Sequence, residues 1–192
     1  MAKTIYIIRH AEKPGAGIGG VNAKGKPDPE SLTPRGWQRA GALADLFAQR
    51  HPSGPSAIVS PTRIFGSARE GCSPAPGGRI GSKSKRPEQT IGPLADKLGI
   101  DPDLTYSRGQ EAEVAAAAMA APGVVLICWQ HEAIPDIAAQ ILGQTKTQSV
   151  PRRWPSKRFD VIWIFAAKSR SRRWRMTQLC QRLLAGDGKK TI

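Results

Sequence analysis

The chain has 192 residues, 40% of them hydrophobic and only 6% aromatic, with 20 glycines and 16 prolines, which suits one compact α/β domain with long loops, large enough to bury a core without metals or disulfides. A formal charge of +14 and a pI near 10.4 favour anionic partners (phosphate esters, nucleic acid, acidic proteins, anionic membranes) without choosing among them, and fit an arginine-rich composition equally well. Three scattered cysteines, Cys72, Cys128 and Cys180, have no ligand-type spacing and predict neither a zinc site nor a disulfide framework, and no stretch approaches the roughly 18 apolar residues of a membrane span.

Met1 to Thr4 leads directly into an apolar segment with no leader-type region or cleavage site, so the expected location is the cytoplasm. Thr4 to Ile8 is β-branched and aromatic and reads as a buried strand. It ends in Arg9-His10, which places two polar residues at a strand's carboxyl end, where open α/β sheets carry their sites. Residues 13–31 are a loop rich in Gly, Pro and Lys. Thr33-Pro34 starts a helix, with Thr33 as the cap and Pro34 in the first turn. Trp37, Ala40, Leu43, Ala44 and Phe47 continue it at helical spacing.

Ser56 to Ser60 is the expected second strand. Pro61 to Lys85 is read as a long loop insertion in a single 1–192 domain, functional or disordered. Pro87 opens a helix that Gly99 stops, and Glu111 to Ala121 is an alanine-rich helix. Val124 to Trp129 is an apolar strand followed by Gln130-His131, again a histidine at a strand's end. Ala133 to Leu142 is a helix and Gln144 to Lys157 a loop. Phe159 to Ala167 and Arg173 to Gln181 are two strands around a basic turn, an edge hairpin. The interleaved basic and aromatic residues from Lys168 to Arg175 are read as a solvated turn in preference to a nucleic-acid patch.

Of the three histidines, His10 and His131 stand at strand ends that a parallel sheet brings together, while His51 sits at a helix end without a catalytic role. Arg9 precedes the first, and Arg86 lies at a loop-to-helix junction, with Arg63, Arg69 and Arg79 as competing arginines. Such a set suits phosphoryl transfer. A neutral imidazole is a nucleophile near neutral pH. Two guanidinium forks hold phosphoryl oxygens. A second histidine donates where charge gathers, and a carboxylic acid protonates the leaving oxygen. Fixed cations then do the charge work, so neither metal nor cofactor is expected. Lys13 is a further candidate substrate contact.

Ile8-Arg9-His10-Ala11-Glu12-Lys13-Pro14 resembles the arginine-histidine signature of the histidine phosphatase superfamily, which includes the cofactor-dependent phosphoglycerate mutases. Leu32-Thr33-Pro34-Arg35-Gly36 with Gln38-Arg39-Ala40 resembles its first helix. Ser82 to Arg86 with Gln89-Thr90 resembles its second-arginine motif, and Gln130-His131 its second histidine. The likeness runs in order to about residue 143. It implies a three-layer α/β/α fold with a mixed, largely parallel central sheet. It also implies His10 as the phosphorylated nucleophile and a phosphate pocket of Arg9, Arg86 and His131. For the proton donor it implies an acid ahead of the third strand, Glu111 with Glu113 nearby, or one following the second histidine, Glu132. Glu111 is preferred, and Glu12 is a further alternative. The sequence departs from the pattern at Trp129-Gln130-His131-Glu132 and in the length of the 61–85 segment.

The expected activity is hydrolysis of a phosphomonoester or phosphohistidine through a phosphohistidine on His10, with a phosphorylated small molecule or phosphoprotein as substrate and no membrane partner. Two alternatives belong to other classes. One is an idle relative that binds a phosphorylated or nucleic-acid partner through its basic surface. The other is a mutase-type phosphotransferase, for which no sequence feature supplies a water-resistant pocket.

Overall fold

In a computed structural model the described residues are 1–49, 58–69, 83–143, 150–167 and 173–192. The elements run β1 (Ala2–Arg9), α1 (Pro34–Phe47), β2 (Arg63–Gly66), α2 (Arg86–Leu98), α3 (Glu111–Ala120), β3 (Gly123–Trp129), α4 (Ile134–Leu142), β4 (Val161–Ala167) and β5 (Trp174–Cys180). They build one five-stranded sheet in the order β2-β3-β1-β4-β5. β1 and β2 each pair in parallel with β3, while β4 runs antiparallel to both β1 and β5. The sheet is mixed, and β4 alone opposes the other strands.

Alternation along the central strands distributes the core between two faces. Ile5 and Ile7 of β1 join Val125 and Ile127 of β3 on one face, with Val114 and Ala118 of α3 and Ile134, Ile137, Ala138 and Ile141 of α4. Tyr6 and Ile8 join Leu126 and Cys128 on the other, with Leu43, Ala44 and Phe47 of α1 and Ile91, Leu94 and Ala95 of α2. These helical positions recur at three- and four-residue spacing, so each helix lays one apolar stripe on the sheet. Three layers result, with α3 and α4 on one side and α1 and α2 on the other. Among the described residues no helix is long and apolar enough to cross a membrane.

The second strand differs from the expectation. It is Arg63–Gly66, inside the segment read as loop, and residues 58–60 form no strand. Ile58 packs into the core without sheet pairing, and the Tyr6 hydroxyl accepts from Val59 N at 3.1 Å. Ile64 and Phe65 supply the apolar alternation, opposite Leu126 and Ile127, but two such residues between Arg63 and Gly66 leave no periodicity to read. Gly66 leaves room for two core side chains, since a Cβ there would lie 2.7 Å from Ile91 Cδ1 and 2.8 Å from Leu104 Cδ2, and both would have to shift. Most of the rest of the insertion, including Cys72, Arg79 and Ser82, lies outside the described residues, as do His51 and the turn from Lys168 to Arg172. The edge hairpin is present as β4 and β5.

α1 begins as expected: Thr33 Oγ1 accepts from Gly36 N at 3.1 Å, and Pro34 stands in the first turn. A Cβ on Gly36 would lie 2.7 Å from the Glu12 carbonyl oxygen. The missing side chain thus lets the start of α1 press against the segment that follows β1. Thr33 N donates to that same Glu12 carbonyl at 3.0 Å.

Candidate active site

The strand register brings His10 and His131 together. Arg9 stands opposite Trp129 at the ends of the parallel pair, and His10 N donates to the Trp129 carbonyl at 3.1 Å. His10 and His131 therefore leave neighbouring strands at the same end of the sheet, both buried.

His10 Nδ1 lies 2.8 Å from the Ala11 carbonyl oxygen. A carbonyl only accepts, so Nδ1 carries the hydrogen and Nε2 keeps its lone pair. Burial, and then the positive charge of Arg9, push the His10 pKa down from 6.5 to about 3; Arg86 and His131 lower it further, against the Ala11 hydrogen bond. The ring is thus neutral at physiological pH, with one nitrogen free to bond.

Arg9 is fully buried. Its Nη1 donates to the Ser156 carbonyl at 2.6 Å and the Arg158 carbonyl at 3.2 Å, and the Phe159 ring lies 3.7 Å from its Cζ. Nε and Nη2 have no hydrogen-bond partner among the described residues. Burial lowers the Arg9 pKa to about 10, against the carboxylates of Glu132 and Glu12, so the group stays charged. A buried cation with two unsatisfied donors is costly unless an acceptor arrives.

Arg86, the first residue of α2, is held by the loop ahead of α1 and by Ser84, just ahead of α2 itself. Nη2 donates to the Pro29 carbonyl at 2.7 Å and Nη1 to Ser84 Oγ at 3.2 Å, with Glu30 at 3.6 Å. Burial lowers its pKa, and Glu30 and Asp28 oppose that shift. Of the competing arginines, the two described are engaged elsewhere: Arg63 pairs with Asp103 at 2.9 Å and Arg69 with Glu88 at 3.3 Å.

His131 Nδ1 lies 3.0 Å from Glu132 Oε2. Burial, Arg9 and Lys13 lower the His131 pKa, while Glu132 opposes them. Lys13 itself is exposed but near enough to act on His131. Glu111 begins α3, and its Oε1 accepts from both Trp129 Nε1 and Gly109 N at 3.0 Å. Glu113 lies exposed on the same helix. Both Glu12 oxygens accept from Arg39, at 2.8–3.1 Å.

Sequence reasoning did not identify several side chains that shape this centre. Thr90 Oγ1 accepts from Ala11 N at 2.8 Å and donates to the Arg86 carbonyl at 2.7 Å, linking the two arginine-bearing segments. Gln89 Oε1 accepts from Leu32 N, and its Nε2 donates to Ser31 Oγ. Both lie in the resembling motif, which signalled their presence but not their contacts. Phe159 and the carbonyls around it carry no such signal. Among the described residues no group of three or more His, Cys, Asp or Glu is placed to hold a metal.

No family model matches the sequence, and no curated protein matches it. Solved structures do match. The protein histidine phosphatase SixA complexed with tungstate is 15% identical, with a TM-score of 0.52 over 93% of this chain and 97% of that one. A mycobacterial glucosyl-3-phosphoglycerate phosphatase complexed with VO3 is 15% identical, with a TM-score of 0.53 over 91% and 97%. A putative alpha-ribazole-5'-P phosphatase from Escherichia coli is 11% identical, with a TM-score of 0.51 over 96% and 98%. At nearly full length on both sides, the chain has the fold of the histidine phosphatase superfamily.

Proposed function

We propose that the chain is a phosphatase that passes a phosphoryl group through Nε2 of His10. The observation that carries this reading is the state of His10 beside Arg9: a buried neutral imidazole with a free lone pair, next to a buried cation with two unsatisfied donors. A phosphoryl group is the ligand that satisfies both, because its oxygens accept from guanidinium while its phosphorus accepts the lone pair. The fold neighbours support the reading, since all three carry phosphatase names and two hold oxyanions.

In this mechanism Arg9 Nε and Nη2, Arg86 and His131 bind the phosphoryl oxygens, with Lys13 at the rim. His10 Nε2 bonds to phosphorus as the bond to the leaving oxygen breaks. A proton must reach that oxygen, and we assign its delivery to Glu132, reversing the order of acids expected from sequence. Glu132 lies against His131, whereas Glu111 Oε1 is turned to Trp129 Nε1 and Gly109 N, from which it accepts two hydrogen bonds. Water then attacks phosphorus as the bond to His10 Nε2 breaks, Glu132 takes up the proton that the water gives, phosphate leaves, and His10 returns to neutrality. The charge is supplied by side chains, so the reaction needs no divalent metal. Phosphomonoesters and phosphohistidine are both substrates of the right chemistry.

The test uses chelator-dialysed protein with an aryl and an alkyl phosphate. Turnover of both should persist without metal, and acid-quenched samples should contain phosphohistidine. His10→Ala should abolish turnover and label while the protein stays folded. Glu132→Gln should slow the alkyl substrate by about 10²–10⁴-fold and the aryl one much less, since an aryl oxide leaves unaided. The same selective loss in Glu111→Gln instead would move the acid role there. Full activity of a folded His10→Ala protein would end the proposal.

A further inference from the structure

Gln130 has no part in the mechanism above, yet its state calls for a partner. It is only 6% exposed, and neither its Nε2 nor its Oε1 has a hydrogen-bond partner among the described residues. A carboxamide buried with both polar atoms unmet destabilises the chain unless something arrives to meet them. Gln130 also stands directly ahead of His131, where the sequence departs from the motif it resembles.

Strand register gives the direction of its side chain. Along β3, Leu126 and Cys128 face α1 and α2, whereas Val125, Ile127 and Trp129 face α3 and α4. Alternation sends Gln130 out on the Cys128 face. Along β1, Tyr6 and Ile8 lie on that same face, so His10 leaves on it too. Ile8 stands opposite Cys128, and His10 N donates to the Trp129 carbonyl, in the peptide that joins Trp129 to Gln130. His10 and Gln130 are therefore side by side on one face, a strand spacing of about 4.8 Å apart. The start of α2 covers this face. The Cys128 thiol is hydrogen-bonded to Thr90, which also holds Ala11 N and the Arg86 carbonyl.

A glutamine amide and a histidine Nε2 stand at similar reach from their own backbones. Starting level, the Gln130 amide comes alongside His10 Nε2 and does not extend past it. The leaving oxygen departs along the line that runs away from Nε2, out of the amide's reach. An oxygen lying sideways on the phosphorus is within it.

We infer that Gln130 Nε2 donates to an equatorial oxygen of the phosphoryl group bound at His10, while Oε1 keeps a water. The inference rests on the phosphatase reading and adds an uncharged donor to its pocket. The lack of charge matters. Arg9 and Arg86 already depress the basicity of His10, and another cation so close would depress it further. A carboxamide stabilises charge on the phosphoryl oxygens without that effect.

Orthovanadate, whose five-coordinate adducts imitate phosphorus in transfer, tests this by binding, apart from turnover. Gln130→Met keeps the unbranched shape of the side chain and removes both polar atoms. By titration calorimetry on the full chain, vanadate should bind this variant about ten- to a hundredfold more weakly, the range of one hydrogen bond to a charged acceptor. The kcat/KM for an aryl phosphate should fall by a similar factor, and the thermal midpoint should not fall. Gln130→Glu sets a carboxylate beside the oxyanion and should abolish binding at neutral pH. Trp163→Phe, which removes a buried indole N–H from the middle of β4, should leave the affinity unchanged. Undiminished vanadate binding by Gln130→Met or Gln130→Glu would overturn the inference, as would an equal loss in Trp163→Phe. A purely structural Gln130 would instead lower the midpoint and spare the affinity. The phosphohistidine label in the native chain reports separately on the phosphatase reading.

Discussion

The surroundings that hold His10 neutral also make it a liability in acid. In the folded chain its pKa stands at about 3, against 6.5 when unperturbed. Above 6.5 the imidazole is neutral whether the chain is folded or not, so it contributes nothing to pH dependence. As pH falls from 6.5 towards 3, the unfolded chain gains a proton that the folded chain refuses, and stability drops by up to about 1.4 kcal/mol per pH unit. His10→Gln lacks this loss. Urea unfolding of both proteins between about pH 7 and pH 5 should therefore show a steeper decline for the native chain. Parallel declines would mean that His10 is not held neutral.

Helices α1 and α2 act as brackets on the segment that bears His10, the nucleophile proposed above. α2 contributes Thr90 and Gln89, and α1 contributes Arg39. Arg39 is buried, with all three guanidinium nitrogens bonded to Glu12, Asp187 and Gln181. Burial opposes its charge, but the hydrogen bonds to Asp187 and Glu12 prevail and raise its pKa above the ordinary value. Removing it would leave Glu12 and Asp187 with the half-exposed Arg35 as their one cationic partner among the described residues. Arg39→Met should cost about 3–5 kcal/mol, the usual penalty for a broken buried pair, as read from the denaturant midpoint. A loss below about 1 kcal/mol would place this network among surface pairs.

These brackets also mark how far the sequence can be read. β1 holds an uninterrupted apolar run from Ile5 to Ile8 and β3 one from Val124 to Trp129, each followed by polar residues, so both strands and the positions of Arg9, His10 and His131 were legible. β2 was not, because its four residues sit among Gly, Pro and Ser and owe their pairing to β3. Arg86 was legible from its motif. The groups that hold Arg9 were not, since backbone carbonyls have no signature in a sequence. The expected acid, Glu111, occupies the expected helix start, yet its bond to the Trp129 indole depends on how α3 packs against β3, which residue spacing does not encode.

Across the whole molecule the centre is assembled from remote stretches of chain. Ala11 meets Thr90 across 79 residues, Arg9 meets Ser156 across 147, and Arg39 meets Asp187 across 148. Closing loops of this length costs entropy before any contact is rewarded, and topologies dominated by such contacts fold slowly. The Arg9 guanidinium cannot take its final orientation until the chain from Pro155 to Arg158 has docked, and that stretch is joined to β4, the one strand running against the rest. On dilution from denaturant, helical and sheet signal should therefore return first and catalytic competence last, with a measurable lag between circular dichroism and phosphatase activity. A single shared rate for both would mean that Arg9 is seated as the sheet forms. If the lag is present, a newly made chain passes through a native-like but inactive stage, and the stretch from Pro155 to Arg158 completes the proposed site.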